Sequence, residues 1–371
     1  MKKLITAIGL MSGTSSDGID ASIARSDGEE VLDLVGDFFF PYKEKIRTKI
    51  RKLKDKVDKV LDLEVYNTEI AVLEKEITLL HVNVVQIIIE RLQIKKSEIN
   101  LIGLHGHTIF HSFQNKKTKQ LGDGEALSKL TGLNVIYNFR ENDLKNGGQG
   151  APLVPIYHKL LQKKLRLKVP VVFINIGGIS NLTYLNKNDE IISFDSGPGN
   201  FLIDKLLQLK SNNKIQFDKD GEIASKGSVD KNILDSYLSD PYYDSIPPKS
   251  LDVNDFNLSA VRGLSVENSI ATLSDLTAQT IVNSLNFFKT KPHKIILCGG
   301  GRKNKYISER IKEISNITTL SIDKYKIDGD FIESQAFAYL AIRSFLKKPI
   351  TFPKTTGVTS PTIGGKLIEF K

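Results

Sequence analysis

What this sequence lacks narrows it before any motif is read. Its 371 residues include no Trp, two Met and a single Cys, Cys298. One cysteine has no partner for an internal disulfide, which excludes a disulfide-built scaffold and fits a reducing compartment. No apolar run approaches the roughly 20 residues of a membrane-spanning helix. The start, MKKLITAIGLMSG, sets two lysines before a short apolar stretch. Polar Ser12, Thr14, Ser15, Ser16 and Asp17 then follow without a cleavage pattern, so a buried first strand is expected rather than a signal peptide. Charge of one sign is not in large excess: 52 Lys and Arg against 43 Asp and Glu leave +9. That balance suits anionic small ligands, and a lysine-rich composition explains it better than a nucleic-acid-binding surface. No Gly-Lys-Ser/Thr ending of a Walker A loop is present. The expectation is a cytoplasmic protein that binds neither membrane nor nucleic acid.

What is present is an α/β pattern. The length allows roughly two domains, and 40% hydrophobic residues can fill their cores. Leu4–Leu10 reads as a strand, Gly13 to Gly18 as a polar turn, and alternating Ile19, Ala21 and Ile23 as a second strand with one buried face. Val31–Phe40 follows as a third. The same meander recurs at Val171–Ile176, Asn181–Leu185 and Ile191–Asp195, with Gly177 and Gly178 at its first turn. Two related domains facing a nucleotide would explain the repetition; chance similarity of meanders is the competing account. Helical spacing marks Ile46 to Val60, Ile70 to Ile87, Ile270–Phe288 and Glu333–Phe345. Asp123 is placed to cap a helix over Gly124–Leu130 that Gly132 would stop.

Several segments carry residue types suited to chemistry. In GLMSGTSSDGID, Gly9–Asp20, glycines let backbone amides approach phosphate oxygens, and Thr14, Ser15 and Ser16 add hydroxyl donors. Asp17 and Asp20 offer the oxygen ligands that magnesium prefers. An ordinary Gly/Ser hairpin is the plain alternative. NIGGISN, Asn175–Asn181, and CGGGRKN, Cys298–Asn304, are further glycine turns; each could clasp part of a nucleotide or only join a strand to the next element. Asp195, in DSGPGN, is either a general base or a cap for the helix beginning near Asn200. HGHTIFH invites a metal reading because His105 and His107 would share a strand face. His81, His158 and His293 are not arranged as a recognisable ligand motif, however, so structural or substrate-contacting roles come first. GGQGAPLVP, Gly147–Pro155, reads as a loop that shapes a pocket or merely turns the chain.

The ordered set GLMSGTSSDGID, HGHTIFH, LGDGEAL, NGGQGAPLVP, NIGGISNL, DSGPGN, CGGGRKN and GDFIESQAFAYLA resembles the anhydro-N-acetylmuramic acid kinase family, from Ile8 almost to Lys366. The resemblance implies a two-domain actin-like (ribonuclease H-like) α/β ATPase with an interdomain nucleotide cleft. It also implies ATP and magnesium, an anhydro amino sugar as substrate, and a homodimer. Domain I is expected at 1–135 with a return at about 345–371, and domain II at 136–344. Gly13, Thr14, Ser15, Ser16, Asp17, Gly18, Ile19 and Asp20 would form the ATP phosphate loop, with Asp17 and Asp20 on the metal. Gly177 and Gly178 would clasp the phosphates from the other side, and Gly299, Gly300 and Gly301 would meet the adenosine. Asp195 would be the catalytic base. Thr108, Arg140 and Glu333 match sugar-contacting positions of the family; Arg140 offers a fork of donors and Glu333 accepts from hydroxyls.

The sequence departs from the family at three points: His107 replaces a usual Gln, Asn138 a usual Asp, and Ser16 a common Leu. A kinase of another anhydro sugar, such as levoglucosan, is therefore the nearest rival. A metal-dependent hydrolase built on His105 and His107, and a non-catalytic sugar sensor, are more distant ones.

Overall fold

The computed structural model describes residues 3–13, 15–252 and 255–370. Its strands are β1 (Ile5–Ser12), β2 (Gly18–Ser26), β3 (Leu32–Pro41), β4 (Leu101–Ser112), β5 (Lys117–Leu121), β6 (Asn134–Tyr137), β7 (Val171–Ile176), β8 (Ile179–Leu185), β9 (Ile191–Pro198), β10 (Lys294–Cys298), β11 (Thr318–Ser321) and β12 (Lys366–Ile368). They form two sheets in two compact units. The first unit comprises Met1–Lys164 and Phe331–Lys371, and the second Leu165–Asp330.

Each sheet repeats one plan. In the first, β1, β2 and β3 form an antiparallel meander, and β4 and β6 add in parallel on the other side of β1, giving the order β12-β6-β4-β1-β2-β3 with β5 on β4. In the second, β7, β8 and β9 form the meander and β10 and β11 add in parallel beside β7. The suspected duplication is thus present as topology: two α/β units with one strand order, as the actin-like assignment requires.

The unit boundaries differ from those expected at 135/136 and about 344/345. β6 lies in the first sheet, between β4 and β12, so the chain does not leave the first unit after Val135. The helix Ile332–Phe345 also belongs there, because it lies across β1, β2 and β4. Two glycines permit this approach: a β-carbon on Gly9 would stand 1.9 Å from the Ser334 carbonyl oxygen, and one on Gly103 2.3 Å from that of Phe337. Arg140 and Glu333, expected in domain II, therefore fall in the first unit.

On the opposite face, Ile8, Leu10, Ile102 and Leu104 bury against Ile50 and Leu53 of the helix Glu44–Lys56 and Leu73, Ile77 and Val84 of the helix Asn67–Arg91. The former helix ends at Lys56, so Val60 lies beyond it. The second unit has its own core, in which Ile174, Leu182 and Phe194 of the meander pack with Ile270, Leu273 and Ile281 of the helix Val266–Ser284. The expected cap is in place: Asp123 accepts from the Glu125 and Ala126 amides, and Gly132 ends that helix at φ 66°. Among the described residues no helix is long and apolar enough to cross a membrane.

Candidate functional site

The β1–β2 turn places the Gly13–Asp20 loop at the end of the first sheet. Thr14 lies outside the described residues. Ser16 is buried at φ 55°, and its amide donates to the Gly13 carbonyl, closing a tight turn. Asp17 is exposed and accepts from the Ser15 hydroxyl at 2.7 Å, while Asp20 is half-buried opposite Met11. Burial, then the charges of Asp17 and Asp20, push the Tyr42 phenol well up, so it stays protonated and donates to Ser12 Oγ at 3.1 Å. Two carboxylates around one short turn are hard oxygen donors of the kind magnesium takes, so the residues present fit that ion.

His105 and His107 do not share a face. The β1–β4 pairing runs Leu10 to Leu104 and then Met11 to Gly106, so His105 is the extra residue of a bulge, with Gly106 at φ 77°. His105 turns toward the helix Ile332–Phe345, its ring 4.4 Å from that of Phe337. His107 turns to the other side, its Nδ1 at 3.1 Å from Ser12 Oγ and its Nε2 at 3.4 Å from Ser16 Oγ. Burial holds His107 near pKa 3 and His105 well below the ordinary value, so both are neutral. Because the two rings turn to opposite sides of β4, the pair is not arranged to share a metal, and among the described residues no group of three or more His, Cys, Asp or Glu could hold one.

His105 is instead an anchor for Arg140. Its Nδ1 donates to the Gly106 carbonyl, leaving Nε2 to accept from Arg140 Nε at 3.1 Å, and the guanidinium also donates to the Gly150 carbonyl at 2.7 Å. Gly150 belongs to the GGQGAPLVP loop, which Asp143 fixes by accepting from the Gly150 amide and the Thr356 hydroxyl, both at 2.6 Å. Glu333 is half-buried; burial raises its pKa and the nearby Arg140 charge lowers it. Thr108 follows on β4 and accepts from Gln120 Nε2 at 3.3 Å. The first unit thus brings Arg140 and Glu333 together, with His105 as an anchor of Arg140 that the sequence did not reveal.

In the second unit the remaining candidates gather at one end of the sheet. β7 and β10 run parallel, so Asn175 pairs with Cys298 and the two glycine turns follow side by side. The Gly199 amide donates to the Gly178 carbonyl and the Asn200 amide to that of Gly177, joining DSGPGN to them. Gly299, at φ 73°, and Gly301 have internal reasons to be glycine: β-carbons there would stand 2.3 Å from Asn175 Oδ1 and from Ile176 Cγ2 respectively. At Gly300 a β-carbon would meet nothing within 4 Å, and at Gly177 nothing closer than 3.4 Å. Packing does not demand glycine at these two positions, whereas an approaching ligand would. Arg302 braces the loop, paired with Asp323, Asp328 and Asp330. Although burial raises it, Asp323 is held near pKa 2 by hydrogen bonds from Arg302 and Ser321.

Asp195 sits within β9, opposite Asn181, and is 7% exposed. It does not cap the next helix, Phe201–Lys210, whose first turn follows Asn200. Its Oδ2 accepts from the Leu251 amide at 2.9 Å, its own amide donates to the Lys249 carbonyl at 3.1 Å, and Tyr242 Oη donates to its carbonyl at 2.6 Å. These three partners come from one distant segment that sequence reasoning missed; the only local signal is the Pro247-Pro248 break, which does not point to Asp195.

The family profile described as anhydro-N-acetylmuramic acid kinase matches residues 5–369. The chain belongs to that family. The anhydro-N-acetylmuramic acid kinase of Pelagibacter ubique is 45% identical over 380 residues, covering 100% of both chains, and that of Rhizobium etli is 39% identical over 98% of each. A solved structure, the (R)-2-hydroxyglutaryl-CoA dehydratase component A of Acidaminococcus fermentans, covers 91% of this chain and 98% of its own, at a TM-score of 0.47 and 9% identity. That likeness is too distant to add to the assignment. His107, where the anhydro-N-acetylmuramic acid kinase pattern usually has Gln, falls on the side of β4 that faces Ser12 and Ser16, away from the His105 and Arg140 pair.

Proposed function

We propose that this chain is an ATP-dependent kinase that converts 1,6-anhydro-N-acetylmuramic acid and water to N-acetylmuramic acid 6-phosphate, with ADP as co-product, in the recycling of cell-wall sugar. The observation that carries the reading is the family match along residues 5–369. A cytoplasmic homodimer is part of the proposal through the family alone.

The residue roles are those the family resemblance implies, and the chemistry of the reaction is consistent with them. While the 1,6 bridge is intact, the 6-oxygen has two carbon substituents and cannot become a phosphate monoester, so bridge opening and phosphoryl transfer are linked. Asp195 takes a proton from water as the water oxygen bonds to the anomeric carbon. The bond from that carbon to the 6-oxygen breaks, its electron pair stays on oxygen, and this oxygen accepts the γ-phosphoryl group of ATP. Thr108, Arg140 and Glu333 hold the sugar. Backbone amides of the Gly13–Asp20, Gly177–Gly178 and Gly299–Gly301 turns hold the nucleotide, with charge stabilised by fixed dipoles. Asp17 and Asp20 would bind magnesium, which supplies charge neutralisation at the phosphates.

The test is an assay of the purified protein with magnesium, ATP and either 1,6-anhydro-N-acetylmuramic acid or levoglucosan, products being read by mass spectrometry and early proton NMR. The muramic acid 6-phosphate should form, α-anomer first, because water attacks the face opposite the departing oxygen, as in an inverting glycosidase. Preferential turnover of levoglucosan would replace the substrate, and first release of the β-anomer would overturn the mechanism. Asp195→Asn should lose about 10²–10⁴-fold in turnover while still binding ATP.

A further inference from the structure

The segment that holds Asp195 is itself held by one residue. From Pro241 to Asp252 the described chain is exposed or half-buried at every position except Lys249, which is 6% exposed. Ile246, near the middle, is 85% exposed, so the loop is not fixed by an apolar core of its own. The Lys249 ammonium donates to the main-chain carbonyls of Tyr242 at 2.8 Å and Tyr243 at 3.0 Å. It also lies over the rings of Tyr242 at 4.5 Å, Phe287 at 4.6 Å and Phe194 at 5.7 Å.

The connections close on the carboxylate. The Lys249 carbonyl accepts the Asp195 amide, and its ammonium ties down the residue whose phenol donates to the Asp195 carbonyl. Two residues further on, the Leu251 amide donates to Asp195 Oδ2. Phe194, the immediate neighbour of Asp195, forms one wall of the cage. Burial, followed by the Asp195 charge, pushes the Tyr242 phenol far up, so it remains a donor. An apolar side chain could fill the same volume at less desolvation cost, but it could not bind two carbonyls at once.

We propose that Lys249 is a positioning residue for Asp195: its caged ammonium fixes the Tyr242–Leu251 segment, and the segment orients the carboxylate. The inference rests on the reading of Asp195 as catalytic base. If Lys249 aims that base, its loss lowers kcat and leaves substrate affinity alone.

The experiment compares Lys249→Met, Lys249→Arg, Tyr242→Phe and Asp195→Asn in steady-state kinetics with ATP and the anhydro sugar. Lys249→Met should lower kcat by about 10- to 100-fold, within the range that misplacing a reacting group costs, with KM for both substrates nearly unchanged. Lys249→Arg should recover most of the loss. In an Asp195→Asn background, Lys249→Met should remove nothing further from residual turnover, and amide exchange at Leu251 should quicken in the single variant. Wild-type kcat in Lys249→Met beside an inactive Asp195→Asn would overturn the inference. So would equal losses of kcat, affinity and thermal midpoint that arginine fails to rescue, since these mark a purely structural lysine. Should Lys249→Met not fold, Tyr242→Phe decides: it keeps the cage ring and loses the phenol, so a lower kcat at constant KM supports the proposal and an unchanged kcat overturns it. Full activity in Asp195→Asn would instead remove the base, which is a separate and recognisable failure.

Discussion

At the scale of single residues, burial rather than ion pairing sets the titration of His81, His105, His107 and His158. His81 is fully buried, and although Nδ1 donates to the Ile77 carbonyl at 2.9 Å, burial lowers its pKa to about 4. In the unfolded chain the same group titrates near 6.5. Between these values the unfolded chain binds a proton that the folded one refuses, so stability is full above about pH 6.5 and falls as pH drops toward about 4. From pH 7 to pH 5 this amounts to about 1–2 kcal/mol for one such histidine. His107 and His158, both held near 3 by burial, add to the same acid limb. His81→Met should flatten the slope of stability against pH between 6.5 and 5 by one histidine's share, measured by urea unfolding at several pH values. An unaltered slope would show that His81 takes up its proton in the folded state.

At the scale of elements, two substitutions separate backbone crowding from a lost cap. Gly9 lies where the helix Ile332–Phe345 crosses β1, and a β-carbon there would stand 2.4 Å from the Ala338 nitrogen as well as against the Ser334 carbonyl. Backbone atoms cannot rotate aside, so Gly9→Ala should cost about 3 kcal/mol or more, at or beyond the upper end of ordinary overpacking. Asp123→Ala removes only a cap that accepts two amides, and about 1 kcal/mol is expected. Chemical denaturation of both variants should rank them in that order; a Gly9→Ala loss no larger than that of Asp123→Ala would mean the helix is free to shift. The caps, glycine turns and meanders were legible in sequence because each depends on neighbours a few residues away. The bulge in β4 was not: an extra residue is defined only against the register of β1, and strict alternation put His105 and His107 on the same face.

At the scale of the whole molecule, the two units differ in continuity. Unit two is one uninterrupted stretch, Leu165–Asp330, with its own sheet and core, whereas the first needs both Met1–Lys164 and Phe331–Lys371. A fragment of residues 165–330 should therefore unfold cooperatively by itself, seen as a single urea transition with retained near-ultraviolet circular dichroism. A fragment of 1–164 should not, because it lacks the helix whose Phe337, Ala338 and Ala341 cover one face of β1 and β4. A gradual, non-cooperative loss of structure in 165–330 would mean that its core is not self-sufficient.

The sequence alone determined the family, the two meanders and the glycine loops, because these are carried by residue type and short spacing. Backbone conformation, hydrogen-bonding capacity and charge are properties a residue keeps wherever the chain takes it. Tertiary structure decided which unit holds Arg140 and Glu333, which way each histidine of HGHTIFH turns, and which segment grips Asp195. β6 joins the first unit through pairing with β4 and β12, and Lys249 reaches Asp195 only after β9 and the Pro241–Asp252 segment are brought together. Such contacts link residues far apart in the chain and leave no local pattern, since the free energy that selects them comes from burial and register completed only in the folded state.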